Sequence, residues 1–213
     1  MNPLDQRWLM VRDRWPLRVK NGGTDVIAPF SIVLVSSVAV TNNELVYTIR
    51  QPNAASTDFN WNQYLVTGPF AIGGSSGHEG LGTDLKEPGL VRYDSGTPAA
   101  KEMWGPKHSQ YTLSKNYYGF ECLGGNTTAA GNNVAVFRWV GINEVLVKNG
   151  SGGSYAAGHT GDTYKVYIGP AGSEVDTGMT LTACNRSSQA FADSKYGAAA
   201  MLGGAIYTVP FQV

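Results

Sequence analysis

From about residue 18 onward, short runs of apolar and β-branched residues are cut by glycine, asparagine and proline at intervals of roughly eight to twelve residues. Ser31–Ser37, Glu44–Arg50, Val134–Val140, Glu144–Lys148, Thr163–Ile168 and Ala205–Val213 read most clearly as strands. Shorter strands are expected at Trp61–Thr67, Leu90–Tyr93, Gln110–Leu113 and Phe120–Leu123. Nowhere does a long window carry an unbroken apolar stripe at helical spacing. One helix is expected, over Ser188–Met201, where alanines cluster and Gly197 weakens the pattern. The pattern predicts an all-β protein: one or two small sandwich-like or barrel-like units with long glycine-rich loops and an extended N-terminal arm.

Loops divide the chain into three parts. Residues 1–17 form the arm. Residues 18–124 form a first β region, with a glycine-rich loop at Ala71–Gly82 and an irregular stretch from Thr83 to Gly124. A second hinge, Gly124–Asn133, opens a C-terminal β region over residues 125–213. Val-Lys-Asn-Gly occurs at Val19–Gly22 and again at Val147–Gly150. Repeated strand–turn chemistry accounts for a match this short.

Composition narrows the class. The 213 residues include 27 glycines, only 15% are charged, and the net charge is zero. A charged fraction that low suits a surface partly covered by neighbours. Neutrality argues against nucleic acid as a partner. The first 20 residues carry five basic side chains against Asp5 and Asp13, so they are positive and the rest is negative. No run of apolar residues is long enough for a membrane helix. The N-terminus does not read as a signal peptide, so synthesis in a cytoplasm is expected, with Cys122 and Cys184 as free thiols. The sequons at Asn126, Asn149 and Asn185 are then expected to carry no meaning.

Chemistry-bearing patterns are weak. Gly73–Gly77 matches G-x-S-x-G around Ser75, but the glycines after it cannot start the helix that a nucleophile elbow requires. His78, His108 and His159 are far apart in sequence and have no metal-ligand spacing. Glu79, Asp84, Asp94, Glu102 and Glu121 include no pair marked out for glycoside hydrolysis. No phosphate-binding loop is present. The expectation is a non-enzyme without cofactor or metal. Two aromatic clusters carry more weight: Phe59, Trp61 and Tyr64, then Trp104, Tyr111, Tyr117, Tyr118 and Phe120. Core packing is the first reading for both, a protein interface the second, and a sugar platform the third.

The arm combines Arg7, Trp8, Arg12, Arg14 and Trp15. It either packs on its own domain or docks on another subunit. Tryptophan and arginine are the residues most enriched at interface hot spots, which favours docking.

The middle of the chain carries Gln51-Pro52, Leu65-Val66-Thr67-Gly68-Pro69, Tyr93-Asp94-Ser95-Gly96-Thr97-Pro98, Trp104-Gly105-Pro106-Lys107 and Gly119-Phe120. This phrasing resembles structural proteins of tailed bacteriophages and prophages, over about residues 19–124. The resemblance implies a virion part made in the host cytoplasm, and most of all a head decoration or cement protein. Its partners would be the major capsid protein, other virion proteins or copies of itself, with no nucleic acid and no membrane. A tail, neck or receptor-binding fibre component with a carbohydrate-binding β domain is the alternative. The resemblance assigns no site residue.

Overall fold

The computed structural model describes residues 16–52, 59, 63–169, 172–202 and 205–211. The described residues form fifteen strands and no helix. They divide into two compact units, one of residues 16–52 and 63–140 and the other of residue 59 and the described residues from 141 to 211.

The first unit opens with a closed five-stranded barrel: β1 (Leu17–Asn21), β2 (Ile32–Thr41), β3 (Glu44–Arg50), β4 (Tyr64–Thr67) and β5 (Glu79–Thr83). Val19, Ile27, Val33, Ile49, Leu65 and Ile72 fill its interior. The outward side chains of β2 and β4, including Ile32, Leu34, Tyr64 and Val66, are buried as well. Against this barrel the same unit carries a five-stranded sheet: β6 (Gly89–Arg92), β7 (Met103–Pro106), β8 (Leu113–Lys115), β9 (Phe120–Ala129) and β10 (Asn132–Trp139). Backbone bonds from Ile32 to Tyr111 and from Arg92 to Phe30 tie the two together. So does a Tyr64–Trp139 ring contact at 6.4 Å.

The second unit is another closed barrel: β11 (Glu144–Lys148), β12 (Asp162–Ile168), β13 (Val175–Asn185), β14 (Tyr196–Leu202) and β15 (Ala205–Pro210). Tyr164, Val166, Met179, Leu181, Phe191 and Ala199 are among its buried side chains.

One device builds both barrels. Asn21 and Asn185 are the last residues of β1 and β13, Asn149 directly follows β11, and each is fully buried. The Asn149 amide donates to the carbonyls of Gly153 (2.9 Å) and Phe191 (2.7 Å) and accepts from the Ser151 backbone N–H (3.0 Å) and hydroxyl (2.8 Å). Asn185 donates to Gln189 (2.9 Å) and Ala156 (3.0 Å) and accepts from both donors of Ser187. Asn21 donates to Asp25 and Gly73 and accepts from the Gly23 N–H. Each amide thus saturates its hydrogen-bonding capacity, or nearly so, while tying its own turn to a distant loop. Nine residues after each asparagine the backbone turns left-handed, at Phe30 (φ 59°), Gly158 (φ 74°) and Ser194 (φ 60°). Thr67 holds the fourth such position, with its hydroxyl donating to Ala28 and accepting from the Ser31 N–H.

The two Val-Lys-Asn-Gly phrases therefore occupy the same place in two similarly built barrels. In each barrel a hairpin supplies a fifth strand. β3 pairs antiparallel with β2 and parallel with β1, and β15 pairs antiparallel with β14 and parallel with β13. The sequons at Asn149 and Asn185 are this turn chemistry, and burial of both amides closes them to modification in the folded chain.

Four sequence expectations differ from this structure. Ser188–Met201 holds a turn and strand β14. At Gly197 a Cβ would stand 2.4 Å from the Val209 carbonyl and 2.6 Å from the Phe191 ring, so sheet pairing overrides the helix preference of the alanines. Gly124–Asn133 is part of the β9–β10 hairpin, with Gly124, Gly125, Ala130 and Gly131 at positive φ. The compact units divide between Val140 and Gly141. Ala71–Gly82 contains most of β5, and β1 already begins at Leu17, the last residue assigned to the arm.

Candidate interaction surfaces

Arg7, Trp8, Arg12, Arg14 and Trp15 lie outside the described residues, as does Trp61. The remaining candidates are spread through the fold. Ser75 lies in the loop between β4 and β5, and a strand follows it. That loop closes the barrel: Gly77 donates to the Asn21 carbonyl and Asn21 donates back to His78. A Cβ at Gly73 would fall 1.8 Å from the exposed His78 ring. Among the described residues no group of three or more His, Cys, Asp or Glu side chains has metal-site geometry.

The acids of the middle segment each engage a structural partner. Glu79 binds Arg18 at 2.6 Å and Glu121 binds Arg138 at 2.5 Å. Asp94 accepts from the Ser114 hydroxyl at 2.5 Å, and Asp84 pairs with Lys86 at 3.2 Å. Glu102 accepts from the Ala99 N–H and pairs with Lys115, and these contacts hold its carboxyl below the ordinary range, the backbone bond most of all. His159 meets the buried carboxylate of Asp162 at 2.6 Å. Burial pushes the Tyr164 hydroxyl up to about 12. Both side chains belong to the second barrel. Cys122 and Cys184 are free thiols.

Most of the aromatic residues are core. Trp104, Phe120, Tyr117, Phe59 and Tyr64 are buried. Trp104 stacks edge-on with Tyr93 and Phe137, both at 5.9 Å, and Phe120 meets Trp139 at 4.7 Å. Phe59 belongs to the second unit and Tyr64 to the first.

The Leu-Val-Thr-Gly-Pro, Tyr-Asp-Ser-Gly-Thr-Pro and Trp-Gly-Pro-Lys phrases of the middle segment map onto these same packing features. Trp104 is the centre of the sheet's core, and Gly105 lies against the backbone of Tyr118. Thr67 is the buried barrel hydroxyl, and Asp94 braces a turn through Ser95 and Ser114.

What the sequence missed is the uncovered apolar surface. Beyond the barrel, β2 and β3 continue as a projecting two-stranded hairpin. Ser36 is the extra residue of a bulge, after which Val38 faces Tyr47 and Val40 faces Leu45. These four side chains continue the inward face of the barrel past its mouth. Val38, Val40 and Leu45 are 51%, 72% and 54% exposed. A cleft of about 740 Å³ lies at this mouth, lined by Pro16, Leu17, Leu45, Tyr47 and Leu81, with Arg18, Glu44 and Glu79 at its rim. On the second unit the outer face of β14 and β15 presents Leu202, Val209 and Phe211, with Arg186 stacked 4.1 Å from the Tyr207 ring. The alternation Val38-Ala39-Val40 was visible in the sequence, but only the register shows that no core lies beneath it.

No protein-family model matches the chain, and neither a curated protein nor a solved structure does.

Proposed function

We propose that this protein is a non-enzymatic structural subunit of a tailed-bacteriophage particle. Within that class we assign it to the head decoration or cement proteins, which work by burying surface across neighbouring subunits. One observation carries the reading: the β2–β3 hairpin holds an apolar face in solvent at the mouth of a closed barrel. A two-stranded ribbon is at best marginally stable alone, and clustered exposed apolar side chains mark contact sites. The resemblance of residues 19–124 to phage structural proteins supplies the setting. The low charge and the arm rich in tryptophan and arginine fit the same role. Full-length protein and a chain lacking residues 1–15 should be added to particles stripped of this protein. The full chain is expected to pellet with particles and the truncated chain to stay in solution with its fold intact. Equal binding of both removes the arm from the mechanism, and binding by neither removes the particle as the partner.

A further inference from the structure

The hairpin, the cleft and the direction of the chain at Pro16 together point to an occupant. We infer that residues 1–15 of one copy lie along the apolar face of the β2–β3 hairpin of a second copy. This deepens the assembly reading above and rests on it.

The argument starts from strand direction. β1 runs parallel to β3, with Arg18 level with Val46. Carried back along that register, Pro16 stands beside Glu44, at the hairpin tip. β1 is thus entered from the tip side of the hairpin, and a segment continuing straight back from Pro16 would pass the tip and not turn onto its own barrel. A residue that precedes proline is biased toward extended backbone, which suits an arm continuing in that direction. To cover its own cleft the segment would have to reverse at the tip. Continuing forward, fifteen residues reach up to ~50 Å, far enough for a neighbour.

The surface and the segment match in chemistry. The hairpin offers Val38, Val40 and Leu45, and the segment carries Trp8, Leu9, Met10, Val11 and Trp15. The cleft rim has two carboxylates, Glu44 and Glu79, gathered on one guanidinium, Arg18. The segment brings Arg7, Arg12 and Arg14 against Asp5 and Asp13, so the net charges are opposite. Ser36–Thr41 of β2 extends past the part paired with β4, and on that side it has no ladder partner among the described strands. An extended arm can add there as a further strand, with backbone bonds for affinity and side-chain pockets for specificity. Reciprocal exchange of arms closes a two-fold pair, and one-way exchange builds a ring or an open row of copies.

The test uses the full chain with a benzophenone photo-crosslinking residue in place of Leu45. Irradiation is expected to give a covalent dimer whose linked peptide falls within residues 1–15. In light scattering, Val40→Glu and deletion of residues 1–15 should each weaken self-association at least about tenfold, and together no more than either alone. Val40 is exposed, so the variant is expected to keep the circular dichroism and melting of the parent. A monomeric product linked to residues 1–15 overturns the inference by showing that the arm covers its own hairpin. A dimer linked through any other peptide, or a full chain that stays monomeric, overturns it too. Binding to particles is scored separately: particle binding without arm exchange sinks this inference alone, and arm exchange without particle binding sinks only the particle assignment.

Discussion

Replacing Asn185 with alanine is expected to destabilise the second barrel by about 3–5 kcal/mol, a large share of the roughly 5–15 kcal/mol that holds a typical domain together. The amide sits fully buried and ties the carbonyls of Ala156 and Gln189 to the turn at Ser187. Alanine removes these four bonds from a partly buried turn, and each such bond contributes on the order of 1 kcal/mol. Asn149→Ala should behave alike, because its four bonds repeat the arrangement. Asn132→Ala is the control. Its amide bonds the Ala130 carbonyl at an exposed turn, so the expected change is within about 0.5 kcal/mol. Urea unfolding followed by tryptophan fluorescence and circular dichroism measures all three. Equal midpoints for Asn185→Ala and Asn132→Ala would show that the buried amides do not organise the barrel.

Gly105→Ala is expected to cost at least about 3 kcal/mol, or to prevent folding of the first unit. A Cβ at this position would stand 2.1 Å from the Tyr118 carbonyl oxygen and 2.5 Å from its nitrogen. Those atoms are backbone, so no side chain can swing away. Relief requires β7 to move, and β7 carries Trp104 into the centre of the sheet's core. Gly96→Ala separates this contact from backbone strain. Gly96 has φ 80° and open space around its Cα, so only the left-handed penalty of about 1–2 kcal/mol is expected. Thermal melts of the two variants should therefore differ widely, and similar melting points would refute the close-packing account.

The strands that were legible in the sequence are those with long β-branched runs. Glu44–Arg50 and Glu144–Lys148 were read with their observed ends. Strands rich in small or flexible residues were not. β5 is Glu-Gly-Leu-Gly-Thr, and its glycines exist because Gly80 and Gly82 lie against Ile72 and Val19 inside the barrel. β13 alternates Thr177, Met179, Leu181, Ala183 and Asn185 toward the interior, yet Gly178 interrupts the pattern as read along the chain. The repeated Val-Lys-Asn-Gly was read as local turn chemistry. Its long-range half, in which each asparagine reaches a loop 29 or more positions away, cannot be seen in four residues. The interaction surface was least legible. An exposed Val-Ala-Val and a buried Ile-Val-Leu look the same in one dimension, and they separate only once the bulge at Ser36 carries β2 beyond the barrel.

Both barrels project a hairpin from the same point of their framework, and both hairpins leave apolar side chains uncovered. That arrangement fits the proposed role, in which the two barrels act as scaffolds that present a contact surface. The most direct measurement of the proposed role is the abundance of this chain in purified particles of a phage whose genome carries its gene, by quantitative mass spectrometry against the major capsid protein. The account predicts a copy number in a fixed ratio to the capsid subunits, on the order of hundreds per head, as expected of a protein that works through many repeated interfaces. A chain made during infection but missing from particles, or present in only a few copies, would contradict it.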